Sequence, residues 1–319
     1  MSNALKSLVT RFRGYHLGVA GSSFSYFAGN HFTLVEAMAT DFSKQQVLGE
    51  LTACGKTTIN TLHITSWDQD HCSASGLEWI LQKLEPSKIE IPGYLPHTDS
   101  GKTCESMIRD YRSKWAKRGV AVTTQAINPP YIASLGPAEA LGYKEILYHP
   151  RELRDKSNDN STIKFFRSGC FNVLSLGDVE DPAIAALLKR CQTLCREVDV
   201  MILAHHGADN GFTTKRLLEK LSPVIAVCSS NYDNQFDHPR QEIRDLLFEQ
   251  GVQLYTTKTG DFLMESIGGH TMDYRVTNLI AESTKVSSTK DFRSRKSKLL
   301  RQNQDAIRNV LRPGFKGLR

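Results

Sequence analysis

The segment HITSWDQDHC, residues 63–72, places several metal-ligand side chains close together. Asp68, Asp70 and His71 follow an apolar, β-branched stretch, so short, rigid ligands on one turn could serve one ion or two adjacent ions. Carboxylate oxygen suits harder cations and imidazole suits zinc, iron or manganese, so the mixture is compatible with zinc or manganese. The competing interpretation is a loop whose aspartates cap the next helix.

Other ligand-type residues stand where further strands are predicted to end. His149 follows EILY, Asp178 follows CFNVLSLG, and His205 and His206 follow VDVMILA. Adjacent imidazoles at a strand end point to opposite sides, so one can enter a cleft while its neighbour orients or contacts substrate. Taken singly, Asp178 is typical of a helix cap, and His149 and His238, each before a proline, are typical of turns. Several strand ends meeting in one cleft would form an active site.

The elements that must position these residues alternate along the chain. INTLHIT, residues 59–65, predicts a buried strand, and SGLEWILQKL, residues 75–84, has the apolar spacing of a helix with Ser75 as an early cap. The acidic cluster therefore falls on a strand-to-helix loop. Strands continue to alternate with helices as far as about residue 265, which predicts an α/β layered domain.

Composition places the chain among soluble globular proteins. Of its 319 residues, 40% are hydrophobic, and no apolar run approaches the roughly 18 residues that a membrane span requires. The N-terminal segment lacks the apolar core of a signal peptide, so we expect a cytoplasmic location without a membrane span. The seven cysteines form no C-x-x-C pair, so neither a disulfide framework nor a zinc knuckle is indicated.

Positive charge is concentrated in the last residues of the chain. Residues 284–319 hold eleven Lys or Arg against two Asp, so this segment carries +9 and the remainder −3 of the net +6. A basic block can track a phosphate backbone with steep salt dependence. A solvated, partly disordered tail and an amphipathic helix docking on the domain or a partner are the alternatives. The candidate nucleic-acid contacts are Arg293, Arg295, Lys296, Lys298 and Arg301.

The order of the motifs resembles a known family. SWDQDHCSASGL, YHP with SNDNST, VLSLGD, MILAHHG and the long segment from SSNYDNQFDHP to TKTGDF together resemble the metallo-β-lactamase-like domain of the ComEC-type DNA-uptake competence proteins and their free-standing relatives. The resemblance covers roughly residues 14–268. It implies an αββα metallo-β-lactamase-like sandwich with one or two ions, Zn²⁺ or Mn²⁺, at the sheet edge. We expect this hydrolase domain to span residues 1–283 and a basic C-terminal extension to span 284–319.

The resemblance also implies roles for individual residues. The implied metal ligands are Asp68, Asp70, His71, His149, Asp178 as a bridge, and His205, with His206 as the alternative last histidine. Asp70, which would also hold the attacking water, and His206 are the catalytic candidates. The substrate-binding candidates are Asn160, Ser161 and His238.

The sequence departs from the family pattern at two ligand positions. Ser66 stands where the family usually has its first histidine, and Asp68 replaces the second. One metal position therefore loses a nitrogen ligand, and we expect one strong and one weak site.

Three functions are consistent with these residues. The first is a metal-dependent hydrolase that cleaves phosphodiester bonds of nucleic acid or nucleotides with a metal-activated water. The second is a hydrolase of the same fold that acts on a small ester, thioester or lactam. The third is a non-catalytic binding module that has lost its activity with the missing histidine.

Overall fold

A computed structural model describes residues 9–135, 145–268 and 273–297, and within them the strands form two sheets. The larger sheet has the order β15-β14-β13-β1-β2-β3-β4-β5-β6, and the smaller has the order β12-β11-β10-β9-β8-β7. The strands are β1 (Thr10–Gly14), β2 (Phe24–Ala28), β3 (His31–Val35), β4 (Thr61–His63), β5 (Lys88–Pro92), β6 (Thr123–Ile127), β7 (Ile146–His149), β8 (Ile163–Phe166), β9 (Val173–Ser175), β10 (Val200–Ile202), β11 (Ile225–Cys228), β12 (Gln253–Thr256), β13 (Phe262–Ile267), β14 (Asp273–Leu279) and β15 (Val286–Arg293).

Helices cover the outer faces of both sheets. On the larger sheet they are α1 (Lys44–Ala53), α2 (Ala74–Lys83) and α3 (Asp99–Ala116), and a short α4 (Pro129–Ser134) follows β6. On the smaller sheet they are α5 (Pro182–Leu188), α6 (Gln192–Glu197), α7 (Lys215–Leu221) and α8 (Gln241–Glu249). The helix predicted at residues 75–84 is α2, and its cap is Ser73 rather than Ser75, because the Ser73 side chain accepts the Gly76 N–H at 3.1 Å.

Three apolar clusters define the layers. One packs α1, α2 and α3 against strands of the larger sheet, and it includes Ile80 of α2, Ile108 of α3 and Leu62 of β4. A second packs α5, α7 and α8 against the smaller sheet. The third contains strand residues of both sheets, including Phe24 of β2 and Val173 of β9, so it is the core between the sheets. The predicted αββα sandwich is therefore confirmed.

Parallel strands bring the candidate residues to one edge. β3, β4, β5 and β6 are mutually parallel neighbours in the larger sheet, as are β9, β10, β11 and β12 in the smaller. Carboxyl ends of parallel strands lie at one edge of a sheet, which is where open α/β sheets bind ligands. The loops after β4, β9 and β10 carry the predicted ligands apart from His149, which ends β7, and the three loops meet at this edge.

The sheet continues beyond the domain boundary predicted at residue 283. β15 pairs antiparallel with β14 from Asp273↔Arg293 to Leu279↔Val286. Arg293 Nε lies 2.9 Å from Asp273 Oδ1, so this candidate nucleic-acid contact already has an acidic partner at the surface. Lys298 and Arg301 lie outside the described residues. Among the described residues, no helix is both long enough and apolar enough to span a bilayer.

Arg295 and Lys296, two of the predicted nucleic-acid contacts, donate to carbonyls of the folded chain. The Arg295 guanidinium donates to the carbonyls of Cys195, Leu221 and Ser222 at 2.8, 2.5 and 3.1 Å. Lys296 is 4% exposed, and its Nζ donates to Arg167 O at 2.7 Å. The sequence showed the charges, but not that carbonyls of the folded chain would surround them. Their role in binding nucleic acid stays a prediction.

We expect Lys296→Met to lower the free energy of unfolding by about 1–3 kcal/mol, because buried carbonyls lose their charged donor. Affinity for an oligonucleotide at low salt, and its salt dependence, should stay unchanged. Urea denaturation and fluorescence anisotropy measure the two quantities. Lys290→Met is the control, since Lys290 is exposed and contacts Gln253 at 3.3 Å. A folded Lys296→Met protein with a shallower salt slope would contradict the structural role.

Candidate metal centre

The loop after β4 is fixed by backbone hydrogen bonds. His71 N and Cys72 N donate to Asp68 O at 2.9 and 2.8 Å, which closes a turn. Asp70 O accepts from Ser22 N at 2.9 Å, and His71 O accepts from Ala37 N at 2.7 Å. The turn is therefore held to the segments before β2 and after β3, and the side chains of Asp70 and His71 project from a rigid base.

The loops after β9 and β10 are tied to each other. Gly177 has φ +57°, a left-handed conformation that allows the chain to turn just before Asp178. Its carbonyl accepts from His205 N at 3.0 Å. His205 and His206 both have positive φ, 45° and 53°, which costs a residue other than glycine about 1–3 kcal/mol. Such strain is concentrated at functional sites, and here the second imidazole places Nε2 3.2 Å from Asp70 Oδ2 and 4.0 Å from Asp178 Oδ1.

Asp70, His71, Asp178 and His206 form one group of potential metal ligands. Each offers one ligand atom, and these atoms all lie within 4.8 Å of one another. His71 Nε2 is 2.9 Å from Asp178 Oδ2, and His206 Nε2 is 3.2 Å from Asp70 Oδ2. The rings of His71 and His206 lie 5.4 Å apart. Within the described ranges, no second group of three or more His, Cys, Asp or Glu satisfies the same distance limit.

The other ring nitrogens set the tautomers of the two histidines. His71 Nδ1 lies 3.1 Å from Glu36 Oε1 and 3.3 Å from Thr65 Oγ1, while His206 Nδ1 lies 2.9 Å from Ser229 O. A carboxylate and a carbonyl accept hydrogen bonds, so each Nδ1 carries the proton and each Nε2 of a neutral ring presents a lone pair.

A divalent cation fits this arrangement. Both Nε2 atoms are buried without a hydrogen bond of proper geometry, although carboxylate oxygens lie near them. Lone pairs and carboxylates that face one another repel unless a positive charge lies between them. Two imidazoles and two carboxylates are a donor set for zinc or manganese, and anchoring of Nδ1 by a carboxylate or a carbonyl is the usual support of a metal-binding histidine.

The electrostatics of the group point the same way. Burial opposes the charged form of His71, but Asp178, Glu36 and Asp70 outweigh it and raise the pKa of His71 well above its usual value. Burial likewise opposes charge on His206, and the same two aspartates raise its pKa. Burial disfavours the ionised aspartates, yet the histidines hold the pKa of Asp70 and of Asp178 below the usual range. The group thus attracts positive charge, supplied by protons or by a metal ion.

Three of the predicted metal ligands lie apart from this group. Asp68 Oδ2 accepts from Ser66 Oγ at 2.8 Å. His149 is buried, with Nε2 2.6 Å from Asp159 O. His205 Nδ1 lies 2.6 Å from Glu180 Oε1, because adjacent side chains at this turn diverge and His206 takes the inward direction. The structure does not bring these three side chains together with Asp70.

Ser66 shows what occupies the position of the missing histidine. Its hydroxyl, which is fully buried, contacts Asp68 and lies 2.9 Å from Tyr94 Oη. The Asp68 carboxylate thus has a local hydrogen-bond partner on its own turn. This local network leaves the four-residue group as the candidate for the one strong site that the sequence predicts.

The candidate substrate residues have different environments. Asn160 and Ser161 are buried, and Asn160 Oδ1 accepts from Arg154 N at 2.7 Å while its Nδ2 donates to Arg154 O at 2.9 Å. Their substrate role stays a prediction. The His238 ring lies parallel to that of His206, at 6.3 Å and 9°. Burial and the neighbouring histidines lower the pKa of His238 to about 4, so this ring is neutral near pH 7.

Sequence reasoning missed Glu36. Its side chain is buried at the end of β3, where φ is +71°, and it accepts from Thr65 N at 3.0 Å and Thr65 Oγ1 at 2.6 Å. The third donor facing it is His71 Nδ1. The available signal was an acidic residue directly after the apolar strand HFTLV, the same pattern that identified Asp70.

Replacement of Glu36 by glutamine should weaken metal binding by about 10–100-fold, because the amide removes the negative charge that orients His71 and supports its basicity. Zinc titration against a competing chelator measures the affinity. Glu50→Gln is the matched control: Glu50 is also buried, but it pairs with Arg11 at 2.6 Å. That control should change stability and leave the zinc affinity as it is, and equal losses in the two variants would contradict the role of Glu36.

Comparison with known sequences gives one informative relative. No family model matches the chain. ComE operon protein 3 from Bacillus subtilis (strain 168) is 23% identical over 212 residues, which are 65% of this chain and 24% of that protein. The chain thus spans about a quarter of the length of this curated relative. The similarity is consistent with the ComEC-like resemblance of the motifs.

Comparison with solved structures gives distant likenesses. The metallo-beta-lactamase fold protein YhfI from Bacillus subtilis has a TM-score of 0.44 and 12% identity, covering 81% of this chain and 100% of its own. Igni18, a metallo hydrolase from Ignicoccus hospitalis KIN4/I, has a TM-score of 0.45 and 13% identity, covering 81% of this chain and 99% of its own. Tm1679, a metal-dependent hydrolase of the beta-lactamase superfamily, has a TM-score of 0.47 and 12% identity, covering 82% of this chain and 99% of its own. The likeness of this chain to metallo-β-lactamase-fold proteins is one of fold, in keeping with the αββα layers of its own structure.

Proposed function

We propose that this protein is a metal-dependent hydrolase that cleaves phosphodiester bonds of nucleic acid or nucleotides. One observation carries the hydrolase part: Asp70, His71, Asp178 and His206 direct their ligand atoms at one small volume, and both histidines have an anchored Nδ1. We propose Zn²⁺ or Mn²⁺ as the ion, because the donor set mixes nitrogen and oxygen. The cytoplasmic location stays a proposal from composition.

Asp178, Glu36 and Asp70 have distinct tasks in this proposal. A bound divalent cation lowers the pKa of its water from about 15.7 toward 7 and neutralises charge on phosphoryl oxygens. Asp178, whose side chain is 5% exposed, would bind the ion from the buried side of the site. Glu36 fixes the ring of His71. The Asp70 side chain is 38% exposed, so one of its oxygens can accept a hydrogen bond from the attacking water and orient it. No serine or cysteine nucleophile is required.

The phosphodiester part rests on the motif resemblance to DNA-uptake proteins and on the similarity to ComE operon protein 3. The basic tail supports it less than the sequence suggested, since Arg295 and Lys296 are engaged by carbonyls of the folded chain. Lys298 and Arg301 remain candidates for contact with a phosphate backbone.

A non-catalytic binding module is the second candidate, and one observation favours it. Ser66, Asp68 and Tyr94 form a closed hydrogen-bonded set at the position where the family usually has its first histidine. Such a protein would keep the fold without holding the ions that hydrolysis needs. A hydrolase of a small ester, thioester or lactam is the further alternative within the same chemistry.

Metal analysis combined with a substrate panel tests the proposal. The purified protein should hold about one ion per chain and hydrolyse a phosphodiester in added manganese or zinc. Esters, thioesters and lactams in the same panel identify the alternative hydrolase. Less than about one ion per chain, together with no turnover on any substrate, would favour the binding module.

A further inference from the structure

A row of three aromatic rings leads outward from the metal centre. His206 is its inner member, His238 lies parallel to it at 6.3 Å, and Phe236 stacks on His238 at 5.6 Å and 25°. We call these three rings the ring row. His206 presents Nε2 to the metal group, whereas the Phe236 side of the row meets solvent, since Phe236 is 58% exposed. The row therefore connects the candidate reaction centre with an accessible aromatic face.

The loop that carries Phe236 is held in place by its own polar groups. Asn234 Oδ1 accepts from His238 N at 2.5 Å, and Asn234 Nδ2 donates to Asn231 O and His238 O, both at 3.0 Å. Arg240 N donates to Gly207 O at 3.0 Å, which joins the loop to the histidine turn. A platform held in this way loses little conformational freedom when a ligand stacks on it.

A cation contacts the backbone of the residue that carries the exposed ring. Arg240 Nη1 donates to Phe236 O at 3.2 Å, and the Arg240 side chain is 46% exposed with an acidic neighbour, Glu242, at 4.0 Å. Its remaining guanidinium N–H groups can contact a phosphate, while the exposed face of the Phe236 ring can contact a base. A cationic group next to an aromatic ring is the combination by which proteins hold single-stranded nucleic acid without reading its sequence.

We propose that Phe236 stacks a nucleobase of the substrate, in a nucleotide that flanks the phosphodiester held at the metal centre. This inference rests on the proposed function and narrows its substrate to nucleotides or single-stranded nucleic acid with an accessible base. Every base has a π face, so the platform gives affinity with little sequence preference. Arg240 assists by contacting a phosphate of the same strand.

The test measures binding separately from turnover. The probe is a short, fluorescently labelled single-stranded DNA, with a second copy that carries abasic sites. Fluorescence anisotropy on the 319-residue chain in chelator gives the Kd without cleavage. Phe236→Ala should raise the Kd for the normal strand by about 10-fold or more and leave the Kd for the abasic strand unchanged. Phe236→Trp should restore tight binding.

The control is Phe248→Ala, because Phe248 is 86% exposed on α8 and belongs to no ring row. It should leave both Kd values unchanged, and thermal unfolding should confirm that both alanine variants fold. The inference is overturned if Phe236→Ala leaves the normal strand unaffected, weakens both strands equally, or if the wild type binds neither strand. Base-dependent binding without phosphodiester turnover would instead retain the platform and reject the proposed function.

Discussion

Asp70→Ala should lower metal-dependent phosphodiester hydrolysis by about 1,000-fold or more, because the change removes both a metal ligand and the acceptor that orients water. A correctly held metal and its water supply several kcal/mol of transition-state stabilisation. A loss of about 4 kcal/mol corresponds to a rate reduced by about 1,000-fold. Steady-state kinetics in saturating manganese or zinc measure the loss. Metal content measured on the same sample shows how much of it arises from an empty site.

Asp68→Ala is the matched control for Asp70→Ala. The two aspartates are two positions apart, but Asp68 bonds to Ser66, whereas Asp70 Oδ2 lies 3.2 Å from His206 Nε2. We therefore expect Asp68→Ala to keep activity within about 10-fold of wild type, an effect of the size that supporting residues give. If Asp68→Ala lost as much activity as Asp70→Ala, Asp68 would act as a metal ligand, as the sequence predicted. Unchanged activity in Asp70→Ala would remove Asp70 from the mechanism.

Removal of the metal should destabilise the protein. The difference in stability between the metal-bound and the metal-free protein should widen as the pH rises. A ligand present at 1,000 times its Kd stabilises the folded state by about 4 kcal/mol. Burial works against the charged forms of His71 and His206, but the aspartates raise their pKa values, so the metal-free site holds protons near neutral pH. These protons stabilise the metal-free fold at low pH, and that stabilisation is lost as the pH rises through the raised pKa values.

Stabilisation by the bound metal changes with pH in the opposite direction. Metal binding displaces the protons on the two histidines, so affinity rises with pH over the range in which those histidines lose their protons. Differential scanning calorimetry with zinc or with chelator, at pH 6 and at pH 8, should show a larger gap in Tm at the higher pH. Asp70→Ala should remove most of this widening. A gap that is constant or shrinks at pH 8 would contradict the proton-for-metal exchange.

The layered fold and the edge that carries the site were predictable because they depend on patterns along the chain. The alternation of apolar strands with amphipathic helices predicted an α/β layered domain, since each element must bury its apolar face on a neighbour. The resemblance of the motifs to a known family implied the αββα order of the layers. Ligand-type residues after β4, β9 and β10 could be predicted to meet, because carboxyl ends of parallel strands share an edge. Asp70, His71, Asp178 and the histidine pair were all found in this way.

The burial of Lys296 could not be read from the charge pattern. Lys296 belongs to a basic block that is typical of a solvated or nucleic-acid-binding segment, yet its Nζ is enclosed by carbonyls of Arg167 and Gly169. Those carbonyls are more than a hundred residues earlier in the chain. A charged group is buried only where such acceptors converge, and convergence is a property of the fold.

The sequence by itself determined the alternation of strands and helices and the loops that bear the ligands. Only the tertiary structure decided which member of each pair enters the centre, Asp70 rather than Asp68 and His206 rather than His205. Spacing along a turn specifies that two side chains are near each other, but their directions depend on backbone dihedral angles and on hydrogen bonds to distant segments. Glu36 lies 35 positions before His71 in the sequence, so only the folded chain shows that its carboxylate contacts the His71 ring.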